Sequence, residues 1–258
     1  MNRKELKEFL DEKYLEFNRP FFIESDPISI PHRFSKKEDI EISAFLTSLI
    51  AWGRRDLILR SAGRMMELMD QQPHSFIQHA GKKDLKGVID FVHRTFNGQD
   101  FVAILQFLQF IYQKKASLET VFSEGMRDES ANAFSGISAL RNLATGLDFF
   151  PQRTLKHLSN PEAGSSAKRL NMFLRWMVRN DKHGVDFGIW KQVSPAKLIC
   201  PLDVHTGRVA RNLGLLKRKQ NDRKAAEELM QVLRKFDPKD PAKYDFALFG
   251  LGVFNGFK

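Results

Sequence analysis

Two stretches carry the residues able to do chemistry. The first is Pro201-Leu202-Asp203-Val204-His205-Thr206-Gly207-Arg208-Val209, followed by Arg211 and closed by Gly214. Proline ahead of an aspartate and glycine past the last turn are start and stop signals of a helix. Asp203 therefore stands at a helix entrance, with Arg208 and Arg211 one turn apart inside it. The second stretch is Ser165-Ser166-Ala167-Lys168-Arg169-Leu170-Asn171-Met172-Phe173-Leu174-Arg175-Trp176-Met177. Leu170, Phe173, Leu174 and Met177 recur at helical spacing and fix a buried stripe, and a serine at the start supplies the cap. Lys168 falls in the first turn, off the stripe, where a cation opposes the helix dipole. The backbone N–H groups of 165–168 form an anion site at that N-terminus.

Each residue also has a plain reading. Asp203 alone is an N-cap; beside His205, Arg208 and Lys168 it reads equally as a site residue. Lys168, Arg208 and Arg211 have the alternative of solvated surface cations, His205 of a packing residue, and Asn171 of a partner to nearby backbone. Trp52 is read as core or, at a helix end, as a face on which an everted base stacks.

The run Asp203-Val204-His205-Thr206-Gly207-Arg208-Val209 resembles the Val-Asp-x-His-x-x-Arg-(Val/Ile) segment of the helix-hairpin-helix DNA glycosylases. That superfamily contains endonuclease III and the 8-oxoguanine glycosylases. The resemblance implies that Asp203 is the catalytic carboxylate. Lys168 and Asn171 match the nucleophilic lysine of the members with lyase activity and the polar residue three positions later. The spacing from Lys168 to Asp203 is similar to that of the archaeal 8-oxoguanine branch. The block 157–214, continuing through 244–250, resembles more closely an uncharacterised bacterial family distantly related to the glycosylases. Residues 42–53 correspond to the glycosylase helix that ends at the DNA-facing crevice, with Trp52, Arg54 and Arg55 where a Gln is customary.

The resemblance implies an all-α, two-lobed helix-hairpin-helix glycosylase-like fold. One lobe spans 36–160; the other joins 1–35 to 161–258. It implies a DNA repair glycosylase with AP-lyase activity on a damaged base such as an oxidised purine, with DNA held by Ser165, Ser166, Arg54, Arg55, Arg208 and Arg211. Trp52, Asn171 and His205 are the base-pocket candidates. No cofactor is expected. The alternatives are a non-catalytic nucleic-acid-binding protein on the same scaffold and a helical protein-interaction adaptor. Where the family's phosphate-gripping hairpin reads Leu-Pro-Gly-Val-Gly, this chain has Asn160-Pro161-Glu162-Ala163-Gly164, with one glycine and an acidic residue that weaken the grip.

Excision with strand cleavage needs an uncharged amine to attack the sugar C1′ and a carboxylate to stabilise the positive charge that develops. An ordinary lysine is neutral in only about one part in 2,500 at pH 7. The helix dipole contributes ~0.3–1 kcal/mol, so desolvation and the charge of Arg169 must supply most of the remainder.

Composition fits a nucleic-acid partner. Forty-one Lys and Arg against 31 Asp and Glu give the 258 residues a net charge of +10. The single cysteine, Cys200, allows neither an internal disulfide nor a four-cysteine zinc or iron–sulfur site. The charged first residues and the lack of a long apolar run predict a cytoplasmic protein with no membrane segment. The histidines show no metal-ligand spacing. Gly250-Leu251-Gly252, followed by Gly256, reads as close helix packing rather than a dinucleotide site. Periodicity predicts helices over 5–17, 37–52, 54–69, 83–96, 100–114, 137–147, 152–158, 166–179, 204–213, 222–235 and 241–254.

Overall fold

A computed structural model describes residues 1–254, which are predominantly helical. Gly256 lies outside the described residues. In chain order the α-helices are α1 (Arg3–Phe17), α2 (Phe21–Ser25), α3 (Lys37–Ile50), α4 (Arg55–Leu68), α5 (Pro73–His79) and α6 (Lys82–Gly87). A short hairpin follows, β1 (Val92–His93) and β2 (Phe96–Asn97). Then come α7 (Gly98–Lys114), α8 (Leu118–Gly125), α9 (Ala133–Thr145), α10 (Lys168–Val178), α11 (Val204–Asn212), α12 (Arg223–Phe236) and α13 (Tyr244–Val253).

α3 is the axis of the core. Every residue from Ile40 to Ile50 is buried, so the helix is surrounded rather than laid on a surface. Its one buried acid, Glu41, accepts hydrogen bonds from Trp190 Nε1 at 2.6 Å and from the Leu118 and Glu119 N–H groups that open α8, at 3.1 and 3.2 Å. α3 packs against α4, α5 and α10. α1 packs on α13 and α13 on α11, which brings the first helix of the chain to the last. That contact is close: a Cβ on Gly250 would meet the Phe17 ring at 2.2 Å.

Four expectations are corrected. Residues 83–96 do not form one helix. α6 ends at Gly87, and β1 pairs antiparallel with β2 in the register Val92↔Asn97 and His93↔Phe96. The chain returns so tightly that a Cβ on Gly98 would lie 1.8 Å from the Ile89 carbonyl oxygen. Residues 152–157 form a 3₁₀ helix rather than an α-helix. α2, α5 and α8 have no counterpart among the expected helices, being too short to show a period. No serine caps α10. Its N-cap is Ala167, in the left-handed region at φ +49°, with no side-chain hydrogen bond to the helix.

Candidate active site

Ala167 turns the chain sharply into α10, and Lys168 is the first helical residue. Across a cleft of about 730 Å³, Asp203 caps α11. Its two carboxylate oxygens have separate tasks. Oδ1 accepts the Thr206 N–H at 2.9 Å, satisfying one of the helix's orphan donors. Oδ2 stands 3.8 Å from Lys168 Nζ. Both side chains line the cleft and keep about a quarter of their surface exposed, at 27% for Lys168 and 20% for Asp203, so the pair is open to a ligand. The loop before α12 steadies Asp203 from behind, where Asn221 Nδ2 donates to its backbone oxygen at 2.9 Å.

The opposite wall comes from the end of α3 and the start of α4. Trp52, Gly53 and Arg55 line it, and the Trp52 Nε1–H has no hydrogen-bond partner among the described residues. Arg169 joins the walls: its guanidinium donates to the Leu49 carbonyl in the last turn of α3, where the helix dipole favours a cation. Desolvation pushes its pKa down to about 10. The placement of Lys168 thus depends on α10 being fixed to α3 by its neighbour in sequence.

Beneath the pair lies a buried charge network that no sequence motif marks. Arg175 lies between Asp186 and Asp245, with its guanidinium 4.2 Å from the centre of the Phe246 ring. One helical turn on, Arg179 binds Asp181, Asp186 and Asp240. Asp245 reaches the cleft floor, and burial lifts its pKa to about 6 against the opposing pull of Arg175, with Asp203 adding to the rise. Asp26 also lines the cleft; it caps the 3₁₀ turn Pro27–Ser29, and burial raises its carboxyl above the usual range. Asp26-Pro27 was a legible cap signal, but nothing in the sequence joins Arg175 to an acid seventy positions on.

The remaining expected site residues divide. Arg55 and His205 line the cleft; the Arg55 guanidinium lies 5.8 Å from the Phe249 ring centre, and the His205 ring stands edge-on to Phe249. Arg54 does not, being exposed and bonded twice to Asp56 at 3.1 and 2.8 Å. Arg211 is taken up by the fold, donating to the Arg218 and Gln220 carbonyls and to Asn221 Oδ1. Arg208 is exposed and ties α11 to α13 through the Gly252 carbonyl at 3.1 Å. Asn171 is buried away from the cleft wall and donates to the Ser166 carbonyl at 2.9 Å. Ser165 and Ser166 do not line the cleft either. The Ser165 N–H bonds the Asn160 carbonyl, its Oγ accepts the Ala167 N–H, and the Ser166 hydroxyl faces the Leu202 carbonyl.

Among the described residues no group of three His, Cys, Asp or Glu side chains is placed to hold a metal ion. No helix among them is long and apolar enough to cross a membrane. Fold and site together define a helical protein with an amine–carboxylate pair at two helix starts, facing each other in an open cleft. The chain belongs to the family described as "Protein of unknown function (DUF2400)", whose model matches residues 26–254 and so takes in both halves of the pair. No curated protein matches the chain. No solved structure matches it either.

Proposed function

We propose that the chain is a DNA repair glycosylase with AP-lyase activity on a two-lobed helix-hairpin-helix glycosylase-like fold, with Lys168 as nucleophile and Asp203 as charge-stabilising carboxylate. The observation that carries this reading is the 3.8 Å approach of Lys168 Nζ to Asp203 Oδ2 inside an open cleft, while Oδ1 is held by the helix it caps. The cap bond favours this orientation of the carboxylate, and a charge already in place needs little reorganisation when positive charge develops beside it. Trp52 on the facing wall offers an aromatic surface for an everted base. The net charge of +10 favours a polyanionic partner.

In this mechanism the neutral Lys168 amine attacks C1′, the glycosidic bond breaks, and the base leaves with the bonding electron pair and takes up a proton. Loss of the amine proton and opening of the sugar ring give an imine to C1′. Removal of a C2′ proton then expels the 3′ phosphate, and water hydrolyses the imine to restore the amine. Asp203 stabilises the cationic sugar and accepts hydrogen bonds from the amine as it changes protonation.

A second reading, a non-catalytic nucleic-acid-binding protein on the same scaffold, draws on the turn before α10. Asn160 Oδ1 accepts the Glu162 and Ala163 N–H groups at 3.0 and 3.2 Å, so these amides do not grip phosphate; binding then falls to the surface cations, without the firm hold that eversion of a base requires. Borohydride treatment of the protein on duplexes bearing oxidised purines or abasic sites separates the two. The glycosylase reading expects excision and a covalent adduct, both absent in Lys168→Gln. Binding without excision or adduct leaves the second reading in its place.

A further inference from the structure

Against Trp52 and Gly53 of the cleft wall packs an arginine that neither the sequence motifs nor the amine–carboxylate pair accounts for. Arg94 is the first residue of the two-residue turn between β1 and β2. Its φ of +56° lies in the left-handed region, and hairpin turns with a positive φ at that position ordinarily place glycine there. The side chain is exposed, and its guanidinium sits 4.5 Å from the centre of the Trp52 ring. Among the described residues no carboxylate pairs with it and no hydrogen bond holds it.

The surroundings are shaped to that stack. Gly53 has φ +102°, and a Cβ there would fall 2.7 Å from Arg94 Nη1. His93, which is buried, bonds the Ser61 hydroxyl at 2.9 Å and meets the Trp52 ring edge-on. A strained backbone position and a glycine that makes room together hold one unpaired cation over the ring of Trp52, a residue of the cleft wall. Backbone strain of this kind clusters at binding sites.

We propose that Arg94 is a phosphate-binding residue of the DNA site. It covers the Trp52 face in the free protein and moves to a backbone phosphate of the damaged strand when the everted base takes that face. This rests on the DNA repair reading and adds to it a residue and an exchange: guanidinium on indole gives way to base on indole and guanidinium on phosphate. Both partners of Arg94 are satisfied in each state, because the indole face is always covered and the cation always faces negative charge.

The test is binding to a duplex carrying a reduced abasic site that resists cleavage, measured across a range of salt. Arg94→Gly suits the +56° turn and is expected to fold, as circular dichroism and thermal melting will report. Loss of one phosphate contact makes the log–log salt slope less steep by about 0.9 and weakens binding about eightfold at 0.1 M salt. Arg94→Lys keeps the charge and restores the slope. If the wild type binds the duplex and forms the borohydride adduct, and folded Arg94→Gly shows the same affinity and slope, the role of Arg94 is overturned while the repair reading stands. If the wild type does not bind, both fall together.

Discussion

In the proposed mechanism Asp203 carries a structural and a chemical task on different oxygens, and substitution separates them. Asp203→Ala removes the cap to Thr206, worth ~1 kcal/mol, and the approach to Lys168. With both side chains partly exposed, that pair adds only ~0–1 kcal/mol. The loss of about 1–2 kcal/mol lowers the melting temperature by about 2–4 °C per kcal/mol for a chain of this size. Asp203→Asn keeps an oxygen for the Thr206 N–H and caps as well as aspartate, so its melting temperature stays close to that of the wild type. Excision behaves otherwise. Both variants lose the negative charge beside the reacting sugar, and removal of one such electrostatic group costs about 10²–10³ in rate. Single-turnover excision on a lesion duplex, set beside calorimetric melting of the same samples, reads both quantities. Excision by Asp203→Asn at the wild-type rate would refute the reasoning and leave Asp203 a helix cap alone.

The buried charges give a pH prediction. Asp245 has a pKa of about 6 in the folded chain against an ordinary value near 3.8, so the folded state holds its proton more tightly. Its contribution to stability is fully present below about pH 3.8 and is lost as pH rises through about 6. Asp245→Asn therefore gains relative to the wild type by about 2 kcal/mol between pH 4 and 6.5 in urea unfolding, and a difference independent of pH would contradict the assignment. Gly98→Ala, whose Cβ would meet the Ile89 carbonyl oxygen, is expected to cost about 3 kcal/mol or more. An unchanged melting temperature would mean that the segment before β1 does not lie against the start of α7 as described.

The sequence revealed what is periodic or local. The stripe Leu170, Phe173, Leu174 and Met177 is buried, and Asp203 caps its helix as the Pro-Leu-Asp order suggests. Lys168 and Asp203, each at the start of its helix in the sequence, come within 3.8 Å of each other. Less legible was whatever depends on distant partners. Arg211 and Arg208 looked available for phosphate, yet backbone carbonyls of the α11–α12 loop and of α13 use their guanidinium groups. Asp245, Arg175 and Asp26 enter the cleft only because α13, α10 and the α2–α3 connection converge there. Arg94 was hidden within a stretch read as helical, because a two-residue strand is too short to show an alternation.

In the proposed mechanism one amine, Lys168, forms the covalent bond to DNA. Borohydride-reduced adducts on an abasic duplex, digested and sequenced by tandem mass spectrometry, locate that bond directly. A deoxyribose-derived mass is expected on the peptide spanning the start of α10, assigned to Lys168, with no such mass in Lys168→Gln. An adduct on another lysine or on the N-terminal amine, persisting in Lys168→Gln, would contradict it.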